Sequence, residues 1–499
     1  MAATFPSDPL PNPAACAAEP RDVPLWKAVL LCGMAGGMGW GIRGQYGHES
    51  GAMMAGLLVS SVIAMLFLQG SSGAGALRAI AWCTVAIGFG GSETYGQTIG
   101  LTQNAHLIGN NAAWWWGMLG LAVKGGVWIG FAGCFLGMGL SGTRYSRREL
   151  AGLMTLLPLV YLIGIWWWNS PFNPGLRRLP SIYFSETWDW KPNGEVKPRF
   201  ECWGGLLTAL GTLLIYTRLV RHDRLALRLG LAGILGGCLG FPGGQSLQSF
   251  HAWHLESFRT GWIAHLDPHL NWWNLMEITF GAVMGSTLGL FVWLNRQHIR
   301  VLPDNQTTQS GVIDVAMLLV HLTLLTVSEF SNVAMVNALY GLGICMGWIP
   351  IVASANSRRW PGFLVTVVVM LPIAGKTVRE LVYRESAIAP LMGWMIYFLL
   401  PLVIAAGFCG KLVRTCDTHA DGQKIGRLVL LWGTWSFFLL NFAFFRFPWP
   451  WQIWTIRTPS AILYSLCLCC LTVAAWKSRE RKTTVVPTSE ESVIAGMNS

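Results

Sequence analysis

Long apolar stretches recur from residue 25 to residue 476, each separated from the next by a short polar connection. A helix needs ~20 apolar residues to cross a bilayer, and about fourteen stretches here reach or approach that length. Their limits fall near 25–42, 51–69, 79–98, 113–140, 151–168, 203–219, 226–241, 276–295, 312–329, 333–354, 361–375, 388–409, 427–446 and 459–476. A chain patterned this way is expected to be all-α, a polytopic integral membrane helical bundle. Only 12% of its residues are charged and 53% are hydrophobic, and a soluble domain carries about twice that charged share.

The formal net charge of +11 raises the question of nucleic acid, but its placement argues for no such partner. The cations sit in short clusters between apolar stretches. With the N-terminus in the cytoplasm, Arg144, Arg147 and Arg148, then Arg218, Arg221, Arg224 and Arg228, then Arg358 and Arg359, then Lys411, Arg414, Lys424 and Arg427 all fall on the cytoplasmic face. That is the positive-inside bias, so both termini are expected in the cytoplasm, in the inner (plasma) membrane of a bacterium. Residues 1–24 are polar and rich in Pro and Ala, without a cleavable signal, so the first span targets the chain and stays. Most of the twelve cysteines lie inside apolar stretches, where they behave as small hydrophobes rather than a disulfide frame.

The most distinctive stretch is Cys32-Gly33-Met34-Ala35-Gly36-Gly37-Met38-Gly39-Trp40-Gly41-Ile42-Arg43-Gly44-Gln45-Tyr46-Gly47-His48-Glu49. Gly33, Gly36, Gly37, Gly44 and Gln45 recur without a gap as Gly233, Gly236, Gly237, Gly244 and Gln245. Tryptophan runs (Trp114 to Trp116; Trp272 and Trp273) then precede a glycine-spaced span in both places. The pattern predicts a parallel internal repeat within an eight-span core, 25–300. A six-span region, 301–482, follows, with cytoplasmic tails at 1–24 and 483–499. The second copy replaces two spans by the polar stretch 246–270, which is a candidate re-entrant segment.

Glycine at these positions reads two ways. It lets helices approach closely, or it breaks a helix at membrane depth, and paired broken helices point to a transporter's binding site. The charges beside the glycines favour the second reading, because ionisable groups at membrane depth are expensive and mark function. Spans 1, 3 and 7 are therefore expected to be discontinuous. Arg43, Gln45, His48, Glu49, Glu93, Lys124, Gln245 and Glu277 would line a shared substrate-binding cavity in the non-cytoplasmic half. Lys124 would pair with Glu93 or Glu277, and Arg43 with Glu277 or a substrate anion; Glu49 or Glu93 would couple to a proton or sodium ion. His321, Glu329, Asn332 and Asn337 form a weaker second set, and Lys376 is read as reaching an interface.

The 27 tryptophans, among them Trp188, Trp190, Trp449, Trp451 and Trp454, read as an interfacial belt. His251, His254, His265 and His269 have helical spacing, yet without a metalloprotein signature they imply no metal. With no Walker motif, dinucleotide fingerprint or GxSxG elbow, no cofactor is expected. Three functions fit. One is a secondary carrier or flippase-like transporter; another is an integral-membrane transferase acting on a lipid-linked sugar at the outer face, with His48 or Glu93 as base; the third is a non-catalytic membrane scaffold, in which these groups would pair with each other and line no cavity. The partners are membrane lipid and a small-molecule or lipid-linked substrate.

Overall fold

A computed structural model describes residues 16–17, 23–186, 198–302, 311–418, 421–442 and 455–480. Trp188, Trp190, Trp449, Trp451, Trp454 and most of both tails lie outside the described residues. The first half of the chain comprises α1 (Leu25–Arg43), α2 (Glu49–Phe67), α3 (Gly73–Ala86), α4 (Gly96–Gln103), α5 (Asn111–Leu140), α6 (Arg147–Trp168), α7 (Trp203–Ile215), α8 (Arg224–Trp253), α9 (Leu255–Phe258), α10 (Ile263–Leu266) and α11 (Trp272–Leu294). The second half holds α12 (Val312–Phe330), α13 (Ala334–Tyr340), α14 (Gly343–Met346), α15 (Trp348–Ser354), α16 (Trp360–Phe363), α17 (Val369–Val378), α18 (Pro390–Gly393), α19 (Leu400–Asp417), α20 (Gly422–Phe442) and α21 (Thr458–Glu480). π-helical turns at Leu364–Val368 and Trp394–Leu399 join α16 to α17 and α18 to α19. A two-residue strand pair, β1 (Cys16–Ala17) and β2 (Arg300–Val301), runs antiparallel.

Among the described residues, 13 helices are long and apolar enough to cross a membrane, or 14 if the bent pair α13 and α14–α15 counts as one span. The protein is therefore an all-α polytopic membrane bundle. The apolar windows of α2 and α3 are wholly buried at its centre, whereas only 11% of that of α18–α19 is buried. The outer face of α19 is free for lipid.

The packing explains the glycines. α1 runs antiparallel to α11, and a Cβ built on Gly36 would land on the carbonyl oxygen of Gly281, one on Gly285 on that of Cys32. α5 and α8 repeat the arrangement: Gly125 and Gly237 meet backbone to backbone, as do Gly133 with Leu229 and Gly233 with Ile129. A second glycine face of α8, Gly236, Gly240 and Gly244, lies on Met284, Phe280 and Met276 of α11. The result is one row of helices, α5–α8–α11–α1, at separations that only small residues allow. α5 and α11 each start on an asparagine cap, Asn110 Oδ1 and Asn271 Oδ1 each accepting a backbone N–H at 3.0 Å, which satisfies one of the first orphan donors.

Two expectations are corrected here. α8 (span 7) is not broken at its glycines. It passes through Pro242 and continues to Trp253, so that 246–253 extends the helix and only 255–269 forms separate short turns. α1 is also unbroken within its span and stops at Arg43. The helices that do break are span 3, where a 3-10 turn (Phe89–Ser92) and extended Glu93 separate α3 from α4, and α13/α14–α15, bent by 91°. The physical reason is that the glycines of α1 and α8 lie on helix faces that partner helices cover: Gly36 on α11 and Gly39 on α2, Gly233 and Gly237 on α5, and Gly236, Gly240 and Gly244 on α11.

The packing generates a direct test. Gly237→Val is expected to destabilise the protein by about 1–3 kcal/mol through overpacking. Gly243→Ala, whose added Cβ meets nothing, should be neutral or gain about 0.5–1 kcal/mol from lower unfolded-state entropy. Unfolding of the purified variants in detergent measures both.

Candidate functional site

α1 ends because Gly44 to His48 form a tight turn. Tyr46 N donates to Arg43 O at 2.7 Å, and Gly47 takes φ +84°, a conformation that L side chains rarely adopt. α2 then starts at Glu49. This turn puts Arg43 on one flank and Glu49 on the other.

On the first flank, the Arg43 guanidinium donates to Glu277 Oε1 at 3.0 Å and Tyr95 Oη at 2.9 Å, with His48 Nδ1 at 3.3 Å. Its carbon lies 4.7 Å from the Trp40 ring centre and 5.3 Å from that of Trp128. Trp273 Nε1 donates to the same Glu277 oxygen at 3.3 Å. Arg43 and Glu277 are each 2% exposed, so the pair is sealed. A desolvated pair of this kind is tolerable only because every charge is matched by donors or aromatic faces. Arg43 therefore serves Glu277 and is not presented to a solute.

A second cluster surrounds Lys124. Its Nζ donates to Glu201 Oε1 at 2.7 Å, Thr98 Oγ1 at 2.7 Å and Thr94 O at 2.8 Å. Glu201 Oε2 accepts Phe184 N at 2.8 Å. Segments 183–186 and 199–201 strap this cluster down: Thr98 Oγ1 donates to Phe184 O at 2.6 Å and Thr94 Oγ1 to Phe200 O at 3.1 Å. Glu93 is 3% exposed, and neither of its carboxylate oxygens has a hydrogen-bond partner among the described residues. The expected partner of Lys124 is thus replaced by Glu201, which lies just before the apolar stretch 203–219.

The third cluster is an open polar cavity of ≈ 260 Å³ beyond the Gly44–His48 turn. Glu49, Glu329, Lys376, Arg379, Asn337, Tyr340 and Gly341 are among its lining residues. Lys376 Nζ donates to Tyr46 O at 2.6 Å and faces Glu49 and Glu329. A Cβ on Gly47 would lie 2.6 Å from that ammonium. Arg379 donates to Glu329 O at 2.9 Å and sits 3.3 Å from Glu329 Oε1. Gly341 marks the bend between α13 and α14, so this cavity is walled by a broken helix.

The eight expected residues therefore separate into several sites. Arg43 and Glu277 share the first, with His48 on its exposed rim. Glu93 and Lys124 share the second, and Glu49 lines the third. Gln45 borders a narrow cleft with Asn271, Asn274 and Arg457. Gln245 is bound to α4, donating to Thr102 Oγ1 at 2.8 Å and Gln103 Oε1 at 3.1 Å. His251 lies 2.9 Å from Asp267 and stacks on Trp272. Sequence reasoning missed Tyr95, Glu201 and Arg379, and undervalued Lys376. Tyr95 lay visibly inside the glycine-rich stretch of span 3, but nothing in the sequence marked its hydroxyl as the partner of Arg43.

Comparison with protein-family models, with curated proteins and with solved structures finds no match for this chain.

The sealed pair makes a prediction. Glu277→Gln strands the Arg43 charge and is expected to cost about 3–5 kcal/mol, whereas Arg43→Met with Glu277→Leu should recover most of the loss. Thermal or chemical unfolding of the single and double variants measures the non-additivity.

Proposed function

We propose that the protein is a membrane carrier for a small solute bearing both positive and negative charge, bound in the cavity between Glu49, Glu329, Lys376 and Arg379. The single observation that carries this reading is the coincidence of a polar cavity with a helix bent by 91°. Backbone interrupted at membrane depth is tolerated only where it lines protein or a wet cavity, and such helices form the solute sites of secondary transporters. Here Asn337, Tyr340 and Gly341 of the bent helix face the two carboxylates and two cations.

The charges balance in number, two of each sign, so the site suits a zwitterion better than a polyanion. Carboxylates of the cavity would take the ammonium end, while Lys376 and Arg379 would take the acidic end; Arg379 offers a planar fork for that purpose. A volume of ≈ 260 Å³ lies just below the ~300–1,000 Å³ of typical small-molecule sites. That favours a compact solute over a lipid-linked sugar. An apolar groove of ≈ 690 Å³ does exist, lined by Trp26, Leu31, Cys469 and Val473. It is lined by the N-terminal part of α1, whereas the cavity lies beyond the turn that follows Arg43 at the other end of that helix.

A parallel repeat also belongs to this proposal. The helix carrying the glycine motif in each copy packs on the helix that carries the tryptophan run in the other, α1 on α11 and α8 on α5, with glycines at both crossings. With the N-terminus cytoplasmic, the cavity and the buried pair would both face the outer half of the membrane.

The test starts from ligand-induced stabilisation of the purified protein by a panel of amino-acid-like zwitterions, then uptake of any hit into proteoliposomes. Lys376→Met and Glu329→Gln are each expected to weaken binding by about 1.5–3 kcal/mol, the value of a hydrogen bond to a charged group. Accumulation in wild-type vesicles and its loss in both variants is the expected result. Chemical conversion of the hit without accumulation would instead establish the transferase alternative.

A further inference from the structure

We infer that Glu93 is a proton-binding site, its carboxyl held as the neutral acid beside the Lys124–Glu201 pair, and that proton exchange there accompanies solute movement through the cavity. The second half of this inference rests on the carrier reading; the first half does not.

The argument is one of donors and acceptors. An ammonium has three donors, and those of Lys124 are spent on Glu201, Thr98 and Thr94. Its single positive charge is matched by Glu201, which has its own further donor in Phe184 N. Glu93 would then be a second carboxylate in the same enclosed space with no donor to either oxygen. An ionised carboxylate only accepts, whereas the acid form donates, and burial without partners disfavours the charged form. Taking up a proton removes the unmatched charge and supplies a donor. Gln97, the second residue of α4 and four positions beyond Glu93, is buried beside Glu201 with its Oε1 unpartnered among the described residues, and so offers an acceptor.

The other groups facing Glu93 do not change this balance. Lys124 comes from α5 and Glu201 from the strap before α7. Cys202, on the same strap, points its thiol at Ser92 O, 3.0 Å away. Tyr161 approaches from α6. Cys202 and Tyr161 are uncharged in this role, which leaves one cation for two carboxyls among the described residues.

The placement of Glu93 connects it to the cavity. It directly follows the 3-10 turn Phe89–Ser92. Ser92 Oγ accepts Gly343 N at 3.1 Å, and a Cβ on Gly343 would land on Gly88 O. The same turn meets the other wall, because a Cβ on Gly91 would sit 2.6 Å from Glu49 N. One short segment thus lies between the protonatable group, the bend of α13–α14 and the start of α2. A change of charge on Glu93 bears on both walls of the cavity through rigid backbone contacts.

Infrared spectroscopy of the full-length protein in lipid tests the first half. Wild type is expected to show a carboxylic-acid C=O component on the high-frequency side of the amide I band at neutral pH. Glu93→Gln should remove that component and leave the unfolding midpoint unchanged, since glutamine copies the neutral acid. Glu201→Gln should lower the midpoint, because the Lys124 pair is lost, and should weaken the component, because Glu93 then ionises as the counter-charge of Lys124. Survival of the component in Glu93→Gln, or a midpoint loss as large as that of Glu201→Gln, overturns the assignment. For the second half, the solute identified by stabilisation is driven into proteoliposomes by an imposed pH gradient. Loss of the gradient dependence in Glu93→Gln with unchanged binding is expected, and full retention of it overturns the coupling. A protein that moves no solute would fail the uptake assay even as wild type, with the infrared result still standing.

Discussion

Close approach of helix backbones is the constraint on which the rest of this molecule depends. In lipid there is little hydrophobic drive to bring one helix to another, so packing and polar contacts must do it. The row α5–α8–α11–α1 is held by glycines set against carbonyl groups of the neighbouring helix. That spacing is what carries Glu277 to Arg43 across 234 positions of sequence. With an ordinary side chain at Gly44, the Glu277 carboxylate would be displaced, because it occupies the space a Cβ there would need. Packing geometry thus comes first, and the ion pair exists because the packing permits it.

Charge is then distributed by count. Arg43 meets Glu277, Lys124 meets Glu201, and the cavity balances Glu49 and Glu329 against Lys376 and Arg379. Removing an ion from water costs several kcal/mol, returned only by a close partner with its remaining hydrogen bonds filled. The first two pairs meet that condition almost completely and are closed to solvent. The cavity does not, for Lys376 and Arg379 keep part of their surface open. The distinction separates groups that hold the helices in register from groups available to a ligand, and it argues for looking at Lys376 rather than Arg43 when a solute is sought.

Hydropathy alone revealed the fold class, because fourteen apolar runs leave a chain few other options, and thirteen of the corresponding helices stand alone in the structure. Arg43, Glu277, Lys124 and Glu93 were legible as unusual, since each interrupts an apolar run. Their partners were not. Glu201 sits just before α7 in a stretch of ordinary loop composition, and only its burial under Lys124 makes it special. The glycines of α8 were misleading for a definable reason: an open face for a neighbouring helix and a break in the helix both call for residues without side chains. Helix α13–α14 erred in the other direction. Its bend carries Asn337 and Gly341 and no charge, so nothing in the local sequence separated it from a continuous span.

The turn Gly44–His48 shows how these pieces act together. It is the only covalent link between the helix that holds Arg43 and the helix that presents Glu49, and Lys376 reaches across to hold its backbone at Tyr46 O. Gly47 in the left-handed region leaves room for that ammonium; a larger residue would lose both the conformation and the space. A ligand that drew Lys376 towards its own acidic group would compete with Tyr46 O for the same three protons. The turn would then be released on one side while still fixed on the other by Arg43 and Glu277. The sealed pair holds the Arg43 end of this segment, and Gly91 of the 3-10 turn before Glu93 packs against its other end at His48 and Glu49.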